Sequence, residues 1–243
     1  MKRVSIKDIA NRVGVSTAAV SLVLNGKEKE GRVGKAVADK IRQTAREMNY
    51  QPNRLARSLQ SGHSQTIGLL VADISNPFFG SLAFYIQEEM EKANYAVIIM
   101  NTNESDLRMN TMITLLRSHQ VDGFIIVPTE SGEKYIRPLL DEHVPVVLLD
   151  RYYPSIPSAA VIINNYQASY QLTESLIKAS CRRIALLIYK NGQPHMLERR
   201  RGYEEALLKA NIFDSRLIYE VDYTFLKSDI AQVIHTLVEK EKK

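Results

Sequence analysis

Three groups of side chains in this sequence have types and spacings that could do chemistry. Thr17, Ala18, Ser21 and Leu22 fall on one side of a short apolar-periodic segment, opposite Val20, Val23 and Leu24. Small hydroxyl and methyl side chains on an outward helical face can meet the edge of a nucleic-acid groove. Phe78 and Phe79 follow the apolar run Ile67–Ala72 through Asp73-Ile74-Ser75-Asn76-Pro77. Adjacent aromatics after a strand can stack on a sugar or base ring; one of the two is expected to pack beneath the helix that follows. Asp150 ends another apolar run, Val146–Leu149, where a carboxylate can accept hydrogen bonds from ligand hydroxyls. Other chemistries find little support. His63, His119, His143, His195 and His235 show no metal-ligand spacing, and surface or capping roles are expected of them. There is no P-loop, no Gly-x-Gly-x-x-Gly after a strand and no evident nucleophile–base set. No catalysis, metal or cofactor is therefore expected.

The elements that must hold these residues are legible in outline. Ile6, Ile9, Ala10 and Val13 recur at helical spacing, and Ser5 with Asp8 makes a capping-box start. Gly14-Val15 breaks that helix and Ser16 can cap a second. A third, with Val37, Ile41, Ala45 and Met48 on one face, follows the polar loop from Lys27 to Val33. Two short helices around a glycine turn form a helix-turn-helix pattern. From Thr66 onward, apolar runs at Ala96–Met100, Phe124–Val127, Val161–Ile163 and Ile184–Ile188 join the two already named. Amphipathic segments such as Leu82–Ala93, Leu107–Ser118, Tyr170–Ala179 and Tyr203–Ala210 separate them. This βαβ alternation predicts a mostly parallel sheet flanked by helices, with ligands at the carboxyl ends of strands.

Charge divides the chain in the same place. Residues 1–62 carry thirteen Lys and Arg against five Asp and Glu, a net of +8 within a chain whose total is +5. The remainder is mildly acidic, so a nucleic-acid partner is expected at the N-terminal end. The single Cys181 cannot form an intramolecular disulfide, no apolar run suits a membrane span, and no signal peptide is seen; a cytoplasmic location and no membrane partner are expected.

The chain resembles the LacI/GalR family of bacterial transcription regulators. The resemblance rests on Ile6-Lys7-Asp8-Ile9-Ala10, Gly14-Val15-Ser16-Thr17, Val20-Ser21, Asn25-Gly26 and Asn49-Tyr50-Gln51-Pro52-Asn53-Arg54-Leu55-Ala56. It implies a lambda-repressor-like three-helix domain with a hinge helix (1–60, the hinge at 53–60). A periplasmic-binding-protein-like α/β core (61–243) would follow, with a first lobe at about 64–155 and a second from about 160. The second helix would enter the major groove of operator DNA, placing Ser16, Thr17, Ala18, Ser21 and Leu22 near base edges. Many members carry a long polar side chain where this chain has Leu22. Ala18 and Leu22 suit thymine methyls, and Leu22 has an alternative role as a packing contact. Lys2, Lys7, Arg12, Asn25 and Arg32 suit phosphates. Arg54 and Arg57 flank Leu55 and Leu59 in the hinge. The resemblance makes Leu59 a minor-groove wedge, and an ordinary linker is the alternative.

In the core, the resemblance gives the Phe78–Phe79 loop and Asp150 to an effector cleft. It adds Arg199, from Arg199-Arg200-Arg201-Gly202-Tyr203, and more loosely Tyr223. A solvated face is the alternative for three successive arginines at a helix start. The implied effector is a sugar or sugar phosphate, and the implied assembly a homodimer. The family core has two lobes joined by three crossing segments. This sequence supplies the crossing near Arg151–Ala160 and reaches an apparent helix at Ile230–Glu239. The second lobe is therefore expected to be incomplete, with uncovered strand edges and apolar helix faces. A repressor controlled by a small effector is the leading expectation. A ligand-insensitive constitutive DNA binder is the alternative, and an enzyme or a periplasmic binding protein fits less well.

Overall fold

A computed structural model describes residues 4–51 and 62–241. The chain divides into two compact units, Met1–Gly62 and His63–Lys243. Residues 52–61, including Arg54, Arg57 and Leu59, lie outside the described residues, and so does the expected hinge helix.

The first unit holds α1 (Ile6–Val13), α2 (Thr17–Leu24) and α3 (Lys35–Glu47). The Ser5 hydroxyl accepts from the Asp8 amide at 3.3 Å, and the Asp8 carboxylate accepts from the Ser5 amide at 2.8 Å. These two bonds satisfy donors that a helix start otherwise leaves open. Gly14 ends α1 at φ 81°, a left-handed conformation costly to any residue with a Cβ. Ser16 then caps α2, accepting from the Ala19 amide at 3.1 Å. Ile9, Ala10, Val20, Val23, Ala38, Ile41 and Ala45 are buried together. Each large aliphatic side chain removed from water there contributes about 1.5–3 kcal/mol. One expectation is corrected: Val37 is 39% exposed and Ala38 takes the inward place. Ala38, Ile41 and Ala45, three and four apart, define the buried stripe.

The second unit contains a five-stranded parallel sheet in the order β2-β1-β3-β4-β5. Its strands are β1 (Thr66–Val71), β2 (Ala96–Asn101), β3 (Gly123–Ile126), β4 (Val146–Leu149) and β5 (Ala159–Val161). The helices α4 (Pro77–Lys92), α5 (Asp106–Ser118) and α6 (Glu133–Asp141) connect the first four. Alternation along β1 sends Leu70 to a cluster with Met109, Leu116 and Ile136, and Leu69 and Val71 to one with Phe79 and Ala83. The strand order reverses between β1 and β3, and such a switch point opens a crevice beyond the carboxyl ends of the strands.

A second, two-stranded parallel sheet pairs β6 (Leu186–Tyr189) with β7 (Ile218–Val221). Around it lie α7 (Asn165–Lys178), α8 (Pro194–Lys209) and α9 (Leu226–Glu241). Among the described residues β6 and β7 pair only with each other, and Leu172, Leu197, Leu208 and Ile234 are exposed. Two strand expectations shift. The run Val161–Ile163 is strand only up to Val161, and Ile162 and Ile163 are exposed. An edge strand held on one side need not be where the apolar run is. The pairing of Leu186 with Ile218 reveals β7, which Glu220 hides from an apolar reading. Among the described residues no helix is long and apolar enough to cross a membrane.

Candidate functional site

Each unit presents one candidate surface. In the first, Ser16, Thr17 and Ala18 are exposed at the start of α2, with Lys7 and Asn25 exposed nearby in sequence. Val20 and Val23 are buried on the opposite side, so the outward face is fixed by the three-helix core. Ser21 is half-buried and its hydroxyl accepts from the Asn25 amide group at 3.4 Å. Leu22 is half-buried and lies against Gly31: a Cβ built on Gly31 would stand 2.3 Å from a Leu22 methyl. The structure thus gives Leu22 a packing contact with the loop after α2. Thr17 and Ala18 are the side chains that stand outward without such cover. Glu28, whose carboxylate accepts from Arg42 at 2.6 Å, anchors that loop to α3.

In the second unit a cavity of about 590 Å³ opens beyond the strand ends. Asp73 and Asn76 follow β1, Glu104 follows β2 and Arg151 follows β4. Phe79, Tyr189 and Tyr223 supply aromatic surface, and the segment 224–228 closes another side. The loop after β1 is firmly held. The Asp73 carboxylate accepts from the Ser75 hydroxyl and amide, which hold its pKa below the usual carboxylate range. Asn76 caps α4 by accepting from the Phe78 amide, and Asn101 accepts from Ile74.

Arg151 is the best-anchored charge in the cavity wall. Its terminal nitrogens donate to both carboxylate oxygens of Glu104 at 2.6 and 2.7 Å, a bidentate pair. One of them also donates to the Pro128 carbonyl and, at 3.4 Å, to Gln193. Arg151 therefore ties the five-stranded sheet to the segment before α8. Its Nε is buried and makes no hydrogen bond among the described residues, standing 3.5 Å from the Asp150 carboxylate. Burial alone would lower the Arg151 pKa, but the Glu104 and Asp150 carboxylates together outweigh it and the net shift is upward. Asp150 moves up from the ordinary carboxylate value because burial outweighs Arg151 and Arg199. Two of these residues hold left-handed backbone: Glu104 has φ 56° and Asp150 φ 65°.

The sequence-derived cleft residues divide. Phe79 and Tyr223 line the cavity. Phe78 is 46% exposed and touches Phe79 edge-on, outside the wall. The buried aromatic of the pair, Phe79 in the first turn of α4, is also the one that meets the cavity. Asp150 is buried beside Arg151, and Arg199 donates to Asn165 at 2.7 Å; neither belongs to the cavity wall itself. His195 corrects the surface expectation. It is 3% exposed in the first turn of α8, and among the described residues neither ring nitrogen has a hydrogen-bond partner. Burial, then Arg151 and Arg199, push its pKa down to about 3, so the ring is neutral. Arg151, Glu104, Gln193 and Tyr189 were not singled out from sequence. Arg151 and Glu104 both follow strands, the same signal that marked Asp150.

Comparison with known proteins agrees with both units. Residues 5–53 match the family described as bacterial regulatory proteins, lacI family. Residues 64–235 match the family of periplasmic binding proteins and the sugar binding domain of the LacI family. The ribose operon repressor of Halalkalibacterium halodurans is 33% identical over 220 residues, which are 90% of this chain and 63% of that protein. The sucrose operon repressor of Pediococcus pentosaceus is 34% identical over 204 residues, 83% of this chain and 60% of the relative. The chain thus spans about 60% of the length of these relatives. Among solved structures, the lac repressor dimer bound to operator and an anti-inducer shares the fold. Its TM-score is 0.79 at 22% identity, covering 91% of this chain and 66% of that one. The chain belongs to the LacI family of bacterial regulatory proteins.

Proposed function

We propose that this protein is a sequence-specific DNA-binding transcription regulator, acting in the cytoplasm as a repressor under the control of a small sugar-like effector. The observation that carries this reading is one chain holding both a capped helix-turn-helix with an exposed α2 start and a sugar-binding-type core with a cavity at its strand ends. It acts by binding and not by turnover. Thr17 and Ala18 read base edges, Ser16 and Ser21 support them, and Lys7, Asn25 and Arg54 hold phosphates. Phe79 and Tyr223 stack on the effector, with Asp150 and Arg199 behind them as hydrogen-bonding groups. A homodimer places two α2 helices on two half-sites. Exposed Phe84 and Tyr85 on α4 and the partly exposed Ile99 on edge strand β2 offer apolar surface for that assembly.

The test is selection of duplexes from a random pool, followed by binding titrations with and without candidate sugars. A palindromic site whose affinity changes with one sugar supports the reading. No sequence preference rejects it. Leu59→Ala is expected to weaken operator binding at least tenfold and reduce the bend, because wedge insertion stabilises a kinked site. Unchanged affinity and bend would remove Leu59 from the mechanism. The second reading, a constitutive binder blind to sugars, is favoured by Asp150 and Arg199 lying outside the cavity wall. It predicts the same palindrome with no response to any sugar.

A further inference from the structure

We propose that the Arg151–Glu104 pair makes the cavity selective for uncharged, polyhydroxylated ligands over their phosphate esters. This rests on reading the cavity as the effector site. An exposed or half-engaged arginine in a cleft would invite an anion. Arg151 is neither: it is 6% exposed, and Glu104 occupies both of its terminal nitrogens. Its remaining Nε faces the Asp150 carboxylate at 3.5 Å.

The charges around the cavity are matched. Asp73 and Glu104 stand in the wall with Arg151 and Lys227, while Asp150 and Arg199 lie behind it. A phosphate ester entering this space meets carboxylates from the loops after β1 and β2 as well as the exposed Lys227. To reach Arg151 it must displace Glu104 and leave that carboxylate beside a like charge. Repulsion of the wrong ligand is an effective source of selectivity. Hydroxyl groups meet no such obstacle. They donate to carboxylate oxygens and stack their C–H faces on Phe79, Tyr189 and Tyr223.

The experiment is calorimetric titration of the full chain with matched pairs: ribose and ribose 5-phosphate, sucrose and sucrose 6-phosphate, cellobiose and its phosphate. Titrations run in the wild type, Glu104→Gln and Glu104→Asp, with folding checked by circular dichroism. The expected result is that a neutral sugar binds and its phosphate ester binds about tenfold or more weakly. Glu104→Gln should shrink that ratio, and Glu104→Asp, which keeps the charge, should preserve it. A phosphate ester that binds the wild type as well as its parent sugar overturns the proposal and leaves the effector reading standing. An unchanged ratio in folded Glu104→Gln also overturns it. Absence of binding by every member of the panel counts against the effector reading itself, and the proposal falls with it.

Discussion

At position 195 a histidine lies in the first turn of α8 with 3% of its surface exposed and, among the described residues, no hydrogen-bond partner for either ring nitrogen. Its native pKa, pushed down to about 3, is far below that of an unfolded chain, near 6.5. Between those values the unfolded state binds a proton that the native state refuses. Stability is therefore lost as pH falls from 6.5 toward 3, at roughly 1.4 kcal/mol per pH unit once the unfolded histidine is charged. From pH 7 to pH 5 the loss is about 2 kcal/mol. Asp150 works the other way: its raised native pKa favours the folded state as pH falls through the acid range. It is present in the wild type and in His195→Gln alike, so it cancels in their difference. Urea unfolding at pH 7 and pH 5 should show a drop in the wild type that His195→Gln lacks. Equal drops in the two proteins would mean that His195 is protonated in the native state at pH 5.

Two glycines set helix geometry for different reasons, and substitution separates them. Gly14 sits at φ 81°, and a Cβ added there would meet nothing within 4 Å, so only backbone strain opposes a side chain. Gly14→Ala should cost the first unit about 1 kcal/mol. A Cβ added to Gly202 on α8 would stand 2.3 Å from the Tyr166 carbonyl oxygen and 2.9 Å from the Tyr170 amide nitrogen, both backbone atoms of α7. These cannot yield without separating the helices, so Gly202→Ala should destabilise by roughly 2–3 kcal/mol. Denaturation followed by circular dichroism measures both, and a Gly202→Ala protein as stable as wild type would refute the close α7–α8 contact. Gly14 was legible in sequence because a capped, periodic segment ends there. Gly202 was legible only as part of a family pattern, since the helix it touches lies about thirty residues earlier. The same limit hid Arg151 and Glu104. Each follows a strand, but their pairing spans 47 residues and depends on the order β2-β1-β3-β4. Local periodicity places α1, α2 and the buried strands well, and places the exposed edge strand β5 and Glu220-interrupted β7 poorly.

Across the whole molecule, charge and fold divide together. The first unit carries a net of +8 and the second is mildly acidic. On the proposed function, attraction to DNA would be concentrated on the first unit, which presents α2. Each phosphate neutralised by a lysine or arginine releases condensed counterions, steepening the fall of log K with log salt by about 0.9. Lys7, exposed on α1, is proposed to meet a phosphate and not a base. Lys7→Gln should then weaken binding evenly across duplex sequences, leaving the preference for the selected site intact. The size of the slope change reports the assembly. One protomer on the DNA loses about 0.9 from the slope, and a symmetric pair loses about 1.8, because the substitution is made twice. Anisotropy titrations at several salt concentrations measure it. A loss near 1.8 on the selected palindrome, with about 0.9 on a single half-site, is the signature of two helix-turn-helix units bound together. A slope that does not move would place Lys7 away from the backbone, and a change in site preference would place it at a base.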